Sequence, residues 1–323
     1  MKWLEPDTGW ARIDALGQTR TPFLFIVSYD KTRLYARPLD ALDAGILYKL
    51  EDWRNDPVRP YTRNYRFRKF PAPFATYAPK LEAALEQIRA GNTYLLNLTC
   101  QTPIETDLSL EEIFRYARAK FKLYVPGQFV CFSPERFIEI EGNTIATYPM
   151  KGTIDAHLPN ARETILNDPK ERAEHTMIVD LMRNDLGIVG TRVRVERFRY
   201  IEQIRAGDND LLQVSSRITA TLPEDWRDHI GMLLEHLTPA GSISGTPKRS
   251  TVQILQAIEG YDRGFYTGIF GVFDGHSLRS GVLIRFVEQT DEGLVYKSGG
   301  GITLDSDPRS EYAELVEKIY LPI

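Results

Sequence analysis

Apolar positions along this chain fall into short runs whose period changes from segment to segment. Phe23-Leu24-Phe25-Ile26-Val27-Ser28-Tyr29 is almost continuously apolar, which predicts a strand buried on both faces. From Tyr77 the spacing lengthens: Tyr77, Leu81, Leu85 and Ile88 recur at helical intervals, and Gly91 stands where a glycine would end the helix. A strand follows over 93–101. Residues 127–150 read as a β-hairpin, with Gly142-Asn143 turning between Phe137-Ile138-Glu139-Ile140 and Thr144-Ile145-Ala146-Thr147.

Asp168-Pro169 has the form of a helix start, with Asp as cap, Pro in the first position and Glu171 in the third. Ala173, Met177, Ile178, Leu181 and Met182 form its expected core face. Strands alternate with polar turns over 193–220, and a helix follows near 228–237. A Gly/Ser-rich segment, Gly241-Ser242-Ile243-Ser244-Gly245-Thr246-Pro247-Lys248, leads into a helix near 250–259. The last third returns to strands over 267–273, 278–288 and 294–298. It closes with Gly299-Gly300-Gly301, a second Asp-Pro start at Asp307-Pro308, and a final helix. No Pro/Gly/Ser linker divides the chain, so the pattern predicts one large domain of sheets flanked by helices.

Composition narrows the class. In 323 residues, 42% are hydrophobic and 26% charged, enough apolar material for a sizeable core and far from a disordered composition. No apolar run approaches the roughly 18 residues of a membrane span. The start, Met1-Lys2-Trp3-Leu4-Glu5-Pro6, lacks the apolar stretch of a secretion signal. The two cysteines, Cys100 and Cys131, form no metal or redox pattern, and a cytoplasmic location is expected. A net charge of −4 with scattered basic residues argues against nucleic-acid binding. One basic stretch, residues 58–73 with Arg59, Arg63, Arg66, Arg68 and Lys69, reads as a solvated connector.

Candidate chemistry lies in a few places. Glu171/Glu174 and Glu311/Glu314 are acidic couples spaced i,i+3 in the first turns of the two Asp-Pro helices, so each couple can aim two carboxylates at one point. Two such faces would suit a hard cation such as Mg²⁺. The helix dipole and a capping box account for the same residues, and spacing does not decide between these readings. Lys151, in Tyr148-Pro149-Met150-Lys151-Gly152-Thr153, ends a strand beside glycine, where a reactive amine can approach a ligand or simply face water. Gly299-Gly300-Gly301 either presents backbone N–H groups to an anion or is a flexible turn. His175, four residues after Glu171, reads first as a helix-surface partner and second as an acid/base group.

Six segments in order resemble the chorismate-utilising enzymes: anthranilate synthase component I, aminodeoxychorismate synthase component I, and isochorismate and salicylate synthases. They are Ser133-Pro134-Glu135-Arg136-Phe137; Tyr148 to Thr153; Glu171-Arg172-Ala173-Glu174-His175 running to Asp180-Leu181-Met182-Arg183-Asn184-Asp185; Ala240 to Lys248; Gly299 to Ile302; and Asp305-Ser306-Asp307-Pro308 with Glu311-Tyr312. The resemblance runs from about residue 75 to the end. It implies an α+β fold, a large single domain with two antiparallel sheets flanked by helices. Residues 75–323 would be the catalytic region and residues 1–74 a shortened portion completing the sheets. It also implies Mg²⁺ on Glu174 and Glu314 with Glu171 and Glu311 assisting. Chorismate carboxylates would be held by Tyr266, Arg285 and the backbone at Gly300 and Gly301, with Gly152 and Thr153 lining the ring.

Within the family, Pro149-Met150-Lys151-Gly152-Thr153 is similar to the aminodeoxychorismate synthases, which carry lysine where anthranilate synthases carry alanine. The implied route is covalent. Lys151 adds to C2 of chorismate as the C4 hydroxyl leaves, protonated by Glu135, and ammonia then adds at C4 and displaces the lysine. Glu135 must be an acid in that step, so a raised pKa is expected. The rival readings are an anthranilate synthase component I and a non-catalytic subunit binding chorismate or an amidotransferase. Two departures from the family pattern stand out. Leu95 occupies the position of a water-activating lysine in isochorismate and salicylate synthases and of glutamine in many amine-using relatives. The N-terminal portion is short and has no Leu-Leu-Glu-Ser motif, which implies a form without tryptophan feedback. No glutaminase motif is present, so ammonia is expected from a separate glutamine amidotransferase subunit.

Overall fold

The computed structural model describes residues 1–57, 64–206 and 209–323; Arg59 and Arg63 of the basic stretch lie outside the described residues. Along the chain, α1 (Pro6–Gln18) precedes β1 (Phe23–Val27), β2 (Leu34–Pro38), β3 (Leu47–Leu50), β4 (Trp53–Arg54) and β5 (Phe67–Lys69). Then come α2 (Phe74–Arg89), β6 (Leu95–Thr106), α3 (Leu110–Tyr116), β7 (Phe121–Val125) and β8 (Phe129–Ser133). The hairpin β9 (Arg136–Glu141) and β10 (Thr144–Thr147) is followed by β11 (Met150–Asp155), α4 (Ala161–Asn167) and α5 (Pro169–Val189). Next are β12 (Thr191–Ala206), β13 (Asn209–Thr221), α6 (Ile230–Leu237), β14 (Gly245–Thr246) and α7 (Lys248–Glu259). The chain ends with β15 (Ile269–Phe273), β16 (Leu278–Val282), β17 (Phe286–Thr290), β18 (Gly293–Ile302) and α8 (Pro308–Glu317).

The strands form two antiparallel sheets. The first runs β11-β13-β10-β9-β16-β15-β1-β2 with β12 added beside β13; the second runs β14-β6-β18-β17-β8-β7-β3-β4 with β5 beside β6. The continuous apolar run of β1 has a direct cause. Phe23, Phe25 and Val27 face α1, α5 and α6, while Leu24 and Ile26 face the second sheet among Phe121, Leu123, Phe129 and Phe286. A strand covered on both faces has no polar alternation. α2, α7 and α8 cover the outer face of the second sheet through Leu81, Leu85, Leu96, Leu255, Ile302 and Leu315. The α+β architecture of two antiparallel sheets flanked by helices is as expected.

The first 74 residues contribute β1 and β2 to one sheet and β3 and β4 to the other, and they also hold a helix, α1. Several local expectations are corrected. The described part of the basic stretch is built into the fold: β5 pairs with β6, and Lys69 Nζ donates to the carbonyls of Val316 and Ile319 at the end of α8. In place of several strands and turns over 193–220, the described residues there form two long strands, β12 paired antiparallel with β13 and interrupted by bulges. The expected strand over 278–288 breaks at 283–285, because the chain there leaves the first sheet for the second. Gly299-Gly300-Gly301 is neither turn nor loop but the body of β18, paired with Thr99, Leu98 and Asn97. A side chain on Gly299 would strike Thr99 Cγ2 at 2.7 Å, which explains that glycine by close strand packing.

Candidate active site

Two capped helices, α5 and α8, carry the carboxylates that act on Lys151: Glu174 and Glu171 from one and Glu314 from the other. Asp168 Oδ1 accepts from the Glu171 backbone N–H, and Asp307 Oδ1 from that of Ser310, each at 2.9 Å. Glu171 does not return a capping-box bond: its Oε2 is sealed from solvent without a hydrogen-bond partner and faces Gly152. The cap therefore leaves Glu171 free for another role. Glu174 and His175 turn inward beside Ile178, Val179, Leu181 and Met182, which rotates the buried face of α5 and leaves Ala173 exposed, contrary to expectation.

Lys151 lies near the start of β11, not at the end of a strand. A register shift separates Met150 from Thr153 there, and Gly152 adopts φ +92°, a left-handed conformation that favours glycine. A methyl group on Gly152 would also stand 2.9 Å from Glu171 Oε2. The bulge turns Lys151 Nζ toward Glu174, 2.6 Å from Oε2. Burial works to lower the Lys151 pKa, but Glu174, with Glu171 and Glu314 behind it, outweighs burial and raises it. The resting lysine is thus an ammonium, not the free amine that a nucleophile needs.

On α8, Ser306 Oγ donates to Glu311 Oε1 at 2.7 Å, and Lys318 Nζ lies 2.6 Å from Glu314 Oε1. Lys318, to which sequence reasoning assigned no role, also donates to the Gly299 carbonyl at 3.1 Å and stands beside Gly300. Its only available signal was the i,i+4 spacing from Glu314. Burial raises the pKa of Glu171 and of Glu311 despite nearby cations, whereas Lys318 overcomes burial and lowers that of Glu314. Burial lowers Lys318 despite Glu314, with Arg285 and Lys151 adding to the effect. A carboxylate set of this kind, with an orphaned oxygen on Glu171, has the donor chemistry of a hard divalent cation. Among the described residues no three His, Cys, Asp or Glu side chains stand close enough to hold a metal as they are. Two lysines pair with them instead, Lys151 with Glu174 and Lys318 with Glu314.

Glu135 approaches from β8–β9. Its amide donates to Ser133 Oγ at 3.1 Å, its carbonyl accepts from Val282 N–H at 3.1 Å, and its Oε1 accepts from Ser242 Oγ. Burial raises the Glu135 pKa against the opposing pull of Ser242, Arg285 and Lys318. Arg285 sits at the break between β16 and β17 with φ +52°, a position strained for a side chain and set by the passage between sheets. Its guanidinium neighbours the buried Tyr266 and Tyr296 and the half-buried Tyr320. Gly301 has two side chains close by, Leu95 Cδ1 at 3.9 Å and Lys151 Nζ at 4.0 Å from where its Cβ would be. Thr153, two residues after Lys151, points outward as an exposed residue opposite Gln213.

His175 corrects the surface reading outright: it is fully buried, and Nε2 lies 2.7 Å from Ser216 Oγ. Burial lowers its pKa to about 4. An open hollow of about 660 Å³ is bordered by Tyr94, Thr176, Asp180, Arg183 and Phe198, and none of Glu171, Glu174, Glu311 and Glu314 lines it.

The family described as "chorismate binding enzyme" matches residues 18–322. An "Uncharacterized PabA-like protein" of Haemophilus influenzae is 48% identical over 308 residues, 95% of this chain and 94% of its own length. An aminodeoxychorismate synthase component 1 of Salmonella typhimurium is 34% identical over 259 residues, which span 75% of this chain and 56% of that protein. The solved menaquinone-specific isochorismate synthase of Escherichia coli superposes with a TM-score of 0.73 at 16% identity, covering 98% of this chain and 82% of that one.

Proposed function

Because the chain belongs to the chorismate binding enzyme family, we propose that it acts as an aminodeoxychorismate synthase component I, converting chorismate and ammonia to 4-amino-4-deoxychorismate. The observation carrying this reading is the Lys151 ammonium, 2.6 Å from Glu174 and beside Gly301, with carboxylates of both α5 and α8 acting on it. A lysine here supplies a nucleophile that alanine would not.

Substrate would lie over Gly300 and Gly301, with one carboxylate toward Arg285, Tyr266 and Lys318. A guanidinium and an ammonium suit a carboxylate through charge-assisted bonds. Glu174 and Glu314 would hold Mg²⁺, assisted by Glu171 and Glu311, and that ion when bound supplies positive charge to a second carboxylate. Lys151 must lose its proton before it adds, so its pairing with Glu174 has to open. Nζ, its proton lost to solvent, then bonds to C2 and becomes a secondary ammonium, both ring double bonds shift by one position, and the C4–oxygen bond breaks, with Glu135 giving its proton so that the hydroxyl leaves as water. Ammonia next bonds to C4, both double bonds shift back, and the C2–Nζ bond breaks, returning the electron pair to Lys151, while the new ammonium at C4 gives a proton back to Glu135. Leu95, standing where isochorismate and salicylate synthases carry a water-activating lysine, cannot itself act as a base. Ammonia would come from a separate glutaminase subunit.

The test is intact-protein mass spectrometry after incubation with chorismate and Mg²⁺ but no ammonia. We expect a covalent adduct on wild type and none on Lys151→Ala, and 4-amino-4-deoxychorismate from wild type once ammonia is added. Anthranilate as the product, or no consumption of chorismate, overturns the reading.

A further inference from the structure

Ser242 lies in the Gly/Ser-rich segment, 107 residues from Glu135 in sequence, and its hydroxyl donates to Glu135 Oε1. The segment that carries it is held on every side. Arg263 Nη1 donates to the Ile243 carbonyl at 3.1 Å, Ser244 Oγ to the Ala240 carbonyl at 2.9 Å, and the Asn97 amide to the Ser244 carbonyl at 3.0 Å. Lys248 Nζ stands 2.9 Å from Asp185 and also donates to the Leu237 carbonyl at 3.2 Å. Gly241 packs so closely that a Cβ would meet Met182 Cε at 2.5 Å and Asp185 Oδ2 at 2.8 Å. The Ser242 hydroxyl is therefore a fixed donor, and the backbone it faces is fixed too, because the Glu135 amide and carbonyl are bonded to Ser133 and Val282.

The two oxygens of Glu135 are thus unequal. Oε1 accepts the serine proton, while Oε2 makes no hydrogen bond to any described residue and is not sealed from solvent. In a carboxylic acid the oxygen that accepts a hydrogen bond is best left as the carbonyl, and the hydroxyl proton sits on the other. We propose that Ser242 is the positioning residue of the acid step: by occupying Oε1 it assigns the transferable proton to Oε2 and holds the carboxyl in a single orientation. This rests on the reading of Glu135 as the acid that protonates the leaving hydroxyl. Arg285, at the break between the sheets, and Lys318, at the end of α8, are the cations facing the same carboxyl, and they stay in place when Ser242 is changed.

Carbon-13 NMR of glutamate-labelled protein, with Glu135→Gln to assign the Glu135 signal, reads the contact without any turnover. Ser242→Ala should move the Glu135 titration upward by about one pH unit, the size of a single lost hydrogen bond to the charged form. In the amination assay the same variant should lower kcat about 10- to 100-fold with KM within about 3-fold, and raise the pH at which the basic limb falls. Ser242→Thr, which keeps the hydroxyl, should restore both. Ser242→Gly supplies a second truncation should the alanine variant be unstable. An unchanged Glu135 titration, or a rise in KM alone, overturns the assignment of Ser242. A shifted titration in a protein whose wild type makes no aminated product keeps the Ser242 contact and overturns the proposed function instead.

Discussion

His175 is a neutral imidazole enclosed under Phe198 and bonded to Ser216, and its burial has a consequence for stability. Its folded pKa is about 4 against an ordinary value of 6.5. Between those values the unfolded chain binds the proton and the folded chain does not, so stability falls as pH drops from about 6.5 toward 4. The shift of roughly 2.5 units corresponds to about 3 kcal/mol. Denaturant titrations at pH 7 and pH 4.5 should show that loss in wild type, and His175→Gln should remove most of it. Equal losses in both proteins would place the acid sensitivity on the carboxylates alone. At the same scale Lys151 is held as an ammonium by Glu174, so adduct formation should accelerate as pH rises, until Glu135 gives up its proton. Lys151 was singled out in the sequence, whereas His175 read first as a helix-surface residue. The ion pair that restrains the lysine was not legible there, because Lys151 and Glu174 meet only after β11 bulges at Gly152.

At the scale of elements, one buried guanidinium ties helix to sheet. Arg263 uses all five of its N–H donors: Nε and Nη2 on Glu259, Nη1 on the Ile243 carbonyl and Thr267 Oγ1, and Nη2 again on the Asn97 carbonyl. Glu259 in turn accepts from the Thr99 amide and hydroxyl on β6. Both side chains are almost fully enclosed, at 2% and 3% exposure, so a single truncation leaves an uncompensated charge. Arg263→Met should cost about 3–5 kcal/mol, and the double variant with Glu259→Met should recover a large part of it. A urea double-mutant cycle measures this, and additive losses would mean that the two residues do not act as a pair. The helices themselves were readable beforehand. The Tyr77-to-Ile88 period predicted α2, with Gly91 just past its end at φ +75°, and both Asp-Pro starts are real caps. The faces were less readable: Ala173 fits a hydrophobic stripe, yet α5 turns Glu174 inward because the site lies on that side.

For the whole molecule, strands of the first 74 residues are built into both sheets. β1 lies between β2 and β15, and its two faces feed two different hydrophobic clusters. Without β1, β15 becomes an exposed edge, with Ile269 and Phe273 uncovered on one side and Phe270 and Val272 on the other. A chain limited to residues 75–323 should therefore fail to fold, giving no near-ultraviolet circular dichroism and no cooperative melt. A folded fragment would make the N-terminal portion a separate unit. The sequence by itself determined the elements with a local period or cap, the α+β class, and the residue types and order that mark the family, because those depend on neighbours within a few positions. Only the tertiary structure decided that Arg285 stands at the crossing between two sheets, that Lys318 joins the carboxylates, that the three glycines form a strand, and that Ser242 reaches Glu135. Those contacts join residues far apart in the chain, or depend on how a strand passes from one sheet to the other, and no local pattern carries that information.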